Sequence, residues 1–304
     1  MKNKNDEIDL LELFGVIWSS KITISLVTLV FSIVAIIYSL SLANIYTSSA
    51  LLQINDSEDR GGLSSMSSQY GGLASIAGIS LPSSSSKKSD YAVETIKSRD
   101  FLQHLLKFEG ITENLFAAKS FNNSSKKITY DLALFDPLKG EWIRETSINR
   151  KKVPSHLEIY PKYIKDLNIN IDSESGFIKL SFSHLSPIFA KEFLDLVIRE
   201  LNIVSRIRDL DESILALDFL QNQLPKVQQT DMRKSLNNLI SSQLKTKMFA
   251  NIRKDYLVSF IDGAFVPEVR SAPNRSILCI LGAFLGIIFS SLAVLIRHYL
   301  FHKS

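Results

Sequence analysis

Two windows, residues 22–42 and 276–296, contain no Asp, Glu, Lys or Arg. Each is long enough to cross a hydrocarbon core of about 30 Å as a helix, and a helix is the simplest backbone that satisfies its own polar groups in lipid. A buried helix of a soluble core seldom stays free of charge over such a length, and here two do. Both windows therefore read as transmembrane helices, and whatever lies between them must fold as a unit returned to the membrane at both ends. Ser41-Leu42-Ala43 has the small-x-small look of a leader cleavage site. The apolar core before it is too long for a leader, and Asp6, Glu7, Asp9 and Glu12 oppose the basic leader charge, so the first helix is expected to stay as an anchor.

Orientation follows from the short flanks, where positive residues count most. Lys2, Lys4 and Lys21 flank the first helix; Arg297 and Lys303, with His298 and His302, flank the second. Both termini are expected in the cytoplasm and the central domain outside it, although Arg270 and Arg275 sit against the rule. The chain carries a formal net charge of +4, and the segment between the spans is close to neutral. No basic block of the kind that tracks a phosphate backbone is present, so nucleic acid is not an expected partner. The single cysteine, Cys279, lies within the second span, and the outer domain must hold together by packing or oligomerisation without disulfides.

Before the first span, Ile8, Leu11, Phe14 and Trp18 recur at helical spacing among acids, as an amphipathic interfacial helix would place them. After it, "YTSSALLQIN" reads as a strand. Composition then shifts to a Ser/Gly-rich loop over residues 57–88. Order resumes where Ser89 or Asp90 can cap one helix and Ser98 or Asp100 a second carrying Phe101, Leu102, Leu105 and Leu106. Pro137, Pro154 and Pro161 argue against long elements over residues 126–161, and "LNINID" and "FIKLSFSH" alternate about Glu174-Ser175-Gly176 as a hairpin.

The most informative soluble stretch begins at Ser186-Pro187, a favourable cap and first turn. Phe189, Leu196, Ile203, Leu210, Leu217 and Leu224 fall seven apart. Phe193, Ile207 and Ile214 form a second seam broken by Glu200 and Gln221. This is a heptad pattern over about five repeats, and it predicts one helix running to Pro225, roughly 57 Å at the standard rise. Such a helix overshoots a small core, so its stripe needs the returning chain or neighbouring copies. Met232, Leu236, Leu239, Ile240, Leu244, Met248 and Ile252 supply a returning stripe, making an antiparallel arm with Pro225 near its tip. "YLVSFIDGAFVP" then reads as a strand pairing back at the base. The fold class is an α+β membrane protein. Its expected parts are a cytoplasmic segment (1–21), a first span (22–42), a periplasmic base (43–185), a helical hairpin arm (186–256), a return strand and connector (257–275), a second span (276–296) and a cytoplasmic tail (297–304).

Catalytic constellations are not visible. His104, His156, His184, His298 and His302 are dispersed, none with another His or Cys at metal-ligand spacing. There is no G-x-S-x-G elbow and no G-x-x-x-x-G-K-[ST] loop. Asp209, Asp211 and Glu212 read as a solvated helix face rather than a glycosidase pair. No catalytic residue, metal site or cofactor is expected. In the second span Gly282 and Gly286 form G-x-x-x-G, which permits close helix approach.

With this layout the sequence resembles the polysaccharide co-polymerases, the Wzz-type chain-length determinants of bacterial surface-polysaccharide assembly. The likeness is carried by "IDLLELFGVIWSSK", "GGLASIAGISL" with "SRDFL", "SPIFAKEFLDLVI" and "FIDGAFVPEVRSAPNR". Members usually carry three spaced prolines in the last motif; this chain keeps Pro267 and Pro273 with Arg270 between them, ahead of Arg275. The resemblance implies an inner-membrane homo-oligomer that surrounds a membrane-embedded glycan polymerase and controls how many units join a lipid-linked glycan, without catalysis of its own. It favours the lipopolysaccharide O-antigen, because no kinase domain follows residue 296. A capsule or exopolysaccharide co-polymerase working with a separate tyrosine kinase is the alternative, and a two-span sensor a more distant one. Pro267 and Pro273, with fixed φ and no N–H, would make a stiff connector to the second span.

Overall fold

In the computed structural model of the chain, residues 15–16, 18–55, 84–146 and 150–302 are described. The amphipathic pattern at Ile8, Leu11 and Phe14 and the Ser/Gly-rich residues 57–83 lie outside them. The helices are α1 (Lys21–Ser41), α2 (Ser84–Lys97), α3 (Arg99–Leu105), α4 (Ile111–Phe116), α5 (His156–Asp166), α6 (Pro187–Gln223), α7 (Thr230–Ile252) and α8 (Arg275–His302). The strands are β1 (Tyr46–Ile54), β2 (Ala118–Asn122), β3 (Lys127–Tyr130), β4 (Phe135–Asp136), β5 (Glu141–Trp142), β6 (Leu167–Ile171), β7 (Ile178–His184) and β8 (Val258–Asp262). The chain divides into two units, residues 1–45 with 270–304, and residues 46–269.

The first unit is built on α1 and α8, both long and apolar enough to cross a membrane. α8 continues past residue 296 through Arg297 to His302, since nothing after the apolar run supplies a Pro or Gly to stop it.

In the second unit a four-stranded sheet has the order β6-β7-β1-β8, with every neighbouring pair antiparallel. β1 alternates, burying Tyr46, Ser48, Ala50, Leu52 and Ile54, as a strand with one covered face must. Its outward side is polar: Thr47 and Ser183 hydrogen-bond across the β1–β7 ladder at 2.8 Å. The β6–β7 turn is held by Asp172, whose Oδ1 accepts from the N–H groups of Glu174 and Ser175, and by Gly176 at φ +70°. α6 lies on the covered face. Its first turns bury Phe189, Phe193, Val197 and Leu201 against Leu52, Leu180 and Phe182, and the Phe182 and Phe193 rings lie 4.5 Å apart. α2, α3 and α5 complete that core through Ile96, Leu102, Leu105, Ile159 and Tyr163.

Three local expectations change. The helix read as starting at Ser89 or Asp90 begins at Ser84, so Ser89 is buried within α2 instead of capping it, and residues 84–88 leave the Ser/Gly-rich loop for the helix. Ser98 does cap α3, accepting from the Phe101 N–H. Pro161 does not end an element; it sits inside α5, on an exposed position, while Ile159 and Tyr163 bury on either side. Core packing there outweighs the one backbone bond that the proline removes. A small lobe, β2 to β5, packs Ala117, Phe135 and Trp142 together. The buried Arg144 ties the chain beyond it to the body: it donates to the carbonyls of Lys151 and Lys152 and pairs with Glu158 at 2.7 Å.

Candidate functional site

The connector and spans form the first part of the candidate site. Ile45 and Ala272 exchange backbone hydrogen bonds, which brings the end of the α1 segment and the start of the α8 segment side by side. Arg275 donates to Asn44 Oδ1 at 3.1 Å. Along the helices the same pairing persists. A Cβ at Gly282 would collide with Ala35 Cβ, and one at Gly286 would stand 2.9 Å from Phe31 Cβ and 3.0 Å from Thr28 Cα. Any side chain larger than hydrogen would push the helices apart, which is the packing that G-x-x-x-G permits. Phe31 stacks on Phe289 with centroids 6.1 Å apart.

The arm forms the second part. Ser186 caps α6 by accepting from the Phe189 N–H, and Pro187 occupies the first turn. The helix ends in a short 3-10 turn, Leu224–Lys226, that contains Pro225. α7 then returns against α6. The heptad residues do not stay on one face. Phe189, Phe193 and Leu196 are buried in the base, and Leu217 is buried in the arm; Ile203, Leu210 and Leu224 are half-buried; Ile207 and Ile214 are 50% and 45% exposed. A straight helix drifts about 20° per heptad relative to a seven-residue repeat, so a pattern this long cannot serve one local partner throughout. Within the arm the inward positions are Ser205, Ser213, Leu217 and Leu220 of α6 and Ala250 of α7. The returning stripe divides likewise: Leu236 and Ile240 are half-buried, whereas Leu239, Leu244, Met248 and Ile252 are exposed.

Polar residues at the arm's root carry much of its attachment, and sequence periodicity did not single them out as attachments. Asn202 is buried; its Oδ1 accepts from the N–H groups of Leu257 and Val258, and its Nδ2 donates to the Val258 carbonyl. Glu200, which reads from sequence only as a break in the seam, is buried and bonded to His104 Nε2 at 2.8 Å. Asp209 accepts from Tyr256 Oη and from Arg208, whose guanidinium lies 4.0 Å from the Tyr91 ring centroid. The acidic cluster is thus partly a fastener instead of a wholly solvated face. Burial, reinforced by the bond to Asp209, pushes the Tyr256 phenol up from its ordinary range.

His184, one of the dispersed histidines, ends β7 and holds the entry to α6. Its Nε2 donates to the Asn114 carbonyl and its Nδ1 accepts from the Ser186 N–H. Burial lowers its pKa to about 4, and the nearby Lys162 charge acts in the same direction. Lys162 is itself shifted down by burial and donates to the Leu115 carbonyl. Among the described residues no group of three His, Cys, Asp or Glu could hold a metal ion.

A membrane-anchored α+β protein is defined by these parts: two paired spans and an antiparallel sheet from which a helical arm rises. Residues 6–108 match the family model for the Wzz chain length determinant protein. That match bears out the resemblance to the Wzz-type family. Similar solved structures include a full-length bacterial polysaccharide co-polymerase, 15% identical, covering 98% of this chain and 99% of that one at a TM-score of 0.39. A fragment of WzzB, the polysaccharide co-polymerase from Salmonella Typhimurium, is 12% identical, covering 75% of this chain and all of the fragment at a TM-score of 0.29. No curated protein sequence matches the chain.

Proposed function

We propose that the chain is a non-catalytic regulator of polysaccharide chain length, working in the bacterial inner membrane as a homo-oligomer beside a membrane-embedded glycan polymerase. The observation that carries this reading is the arm. Apolar side chains at Ile207, Ile214, Leu239 and Leu244 stand exposed on a helical pair that the other described residues do not cover, and uncovered apolar surfaces mark sites of association. The family match supports the same reading. Copies associated through their arms would enclose a space beside the polymerase and set when a lipid-linked glycan leaves it. Pro267, Pro273 and Arg275 form the connector through which such association reaches the spans, and Gly282 and Gly286 keep those spans paired. The polymer proposed is the lipopolysaccharide O-antigen.

Deleting the gene and resolving surface polysaccharide on gels tests this. Polymer of broad, altered length is expected, with the preferred length class restored by the wild-type chain and blurred when Pro267 and Pro273 are both changed to Ala. Total loss of polymer with the polymerase still present would refute regulation, and an altered capsule beside an unchanged O-antigen would assign the alternative polymer.

A further inference from the structure

A cleft of about 550 Å³ opens at the root of the arm, between one stripe of α6 and the segment that leads from α7 into β8. Asn202 fixes the opposite wall, with both ends of its amide engaged by the backbone of residues 257 and 258. Two charged residues on the rim are already committed: Arg199 to Glu200 at 3.2 Å and Asp195 to Lys191 at 2.6 Å. The remaining lining is Ile203, Arg206, Lys254, Asp255 and Phe260. Among the described residues Arg206, Lys254 and the Asp255 carboxylate have neither an ion pair nor a side-chain hydrogen bond. The Phe260 ring, 44% exposed, forms the apolar wall beside them.

Free charges lining one cleft with an exposed aromatic ring match one chemistry well. A guanidinium offers paired N–H donors to a carboxylate, an ammonium adds a second cation, a carboxylate accepts from hydroxyls, and an aromatic face packs on the C–H face of a pyranose. The volume falls in the range of small-ligand sites, about 300–1,000 Å³. A nucleic acid would require a longer basic track, and a stable protein partner a wider apolar patch than this cleft offers. We propose that the cleft binds a short segment of glycan bearing a carboxylate, with Arg206 and Lys254 on the acid group, Asp255 on hydroxyls and Phe260 against the ring. This rests on the proposed function: it would place growing polymer at the root of the arm.

The test uses full-length protein in nanodiscs of uncharged phosphatidylcholine, titrated with short hyaluronan oligosaccharides and with uncharged chitin oligosaccharides, binding being read by saturation-transfer NMR. Salt-sensitive binding of the hyaluronan probe is expected, with weak or no binding of chitin. R206A/K254A should lose at least about tenfold in affinity, as the removal of charge-assisted bonds implies, and F260A should weaken binding at unchanged salt dependence. No binding by the wild type, or equal binding by R206A/K254A, overturns the assignment. A fall in oligomer mass with glycan binding intact would make the cleft an interface between copies and also overturn it. Normal polymer lengths in the deletion strain, with cleft-dependent binding in vitro, would remove the regulator reading and leave the binding site; altered lengths without cleft-dependent binding would do the reverse.

Discussion

His184 shows what a single buried residue does to the stability of the whole second unit, residues 46–269. Its ring is neutral, because a carbonyl on Nε2 requires a proton there and an N–H on Nδ1 forbids a second one. Protonation would set Nδ1–H against the Ser186 N–H, at the cap of the long helix. The folded pKa, about 4, lies below the ordinary value of 6.5. Between those values the unfolded chain binds more protons, so stability rises with pH. The contribution is complete above about pH 6.5 and is lost as pH falls toward 4, amounting to roughly 3 kcal/mol. Urea unfolding of the wild type and H184Q at pH 7.5 and 4.5 should show a smaller pH-dependent loss in the variant; equal losses would show that other groups carry the acid sensitivity.

The arm and the spans are elements whose faces decide their behaviour. Ile207 and Ile214 are exposed in the single chain, so I207D/I214D should leave helix content and melting temperature of the protomer nearly unchanged. If the arm associates, each substitution removes an apolar side chain worth about 1.5–3 kcal/mol on burial and adds a charge to the contact. The detergent-extracted oligomer should then shrink by light scattering, and unchanged mass with unchanged glycan length would remove the arm from the mechanism. In the spans, the clash of a Cβ at Gly282 with Ala35 is with a short side chain on a helix backbone, which cannot turn away. G282L/G286L should separate the helices, at a cost on the order of 1–3 kcal/mol for each overpacked site. Cysteines placed at residues 31 and 289, whose rings stack across the native pair, form the control in a C279S background: they should cross-link when Gly282 and Gly286 are kept and lose that cross-link with G282L/G286L.

For the whole molecule, if both apolar helices cross the membrane, residues before α1 and after α8 are expected on the same side of it. The charges of the short flanks predict the cytoplasm for that side. A phosphatase reporter after residue 304 should be inactive and one inserted near Ser84 active, as expected for an exported central domain; a reversed or mixed pattern would contradict the orientation. The central unit has no disulfide to hold it, since Cys279 lies in α8. Its stability therefore depends on the sheet and α6 packing as one core, into which Phe182, Phe193 and Tyr163 are all fully buried.

Sequence by itself determined the elements whose signals are local and repeated. Charge-free length marked both spans, Thr, Leu and Ile ahead of Asn55-Asp56 marked β1, alternation marked the β6–β7 hairpin, and Ser186-Pro187 with Pro225 bounded the long helix to within a residue or two. Each follows from backbone hydrogen bonding in a known solvent or from the period of one element. What only the tertiary structure decided is which residues those elements face. Pro161 stays in a helix because Ile159 and Tyr163 bury beside it, and Ser89 turns inward because α2 begins five residues earlier than its caps suggested. Ile207 and Leu217 share one heptad pattern yet meet solvent and core respectively, since a 3.6-residue helix cannot hold a seven-residue stripe on one local partner. The charged cleft of Arg206, Lys254 and Phe260 joins residues about fifty positions apart through the return of β8 to β1. No period along the chain encodes such a meeting; it arises when long-range strand pairing closes the sheet.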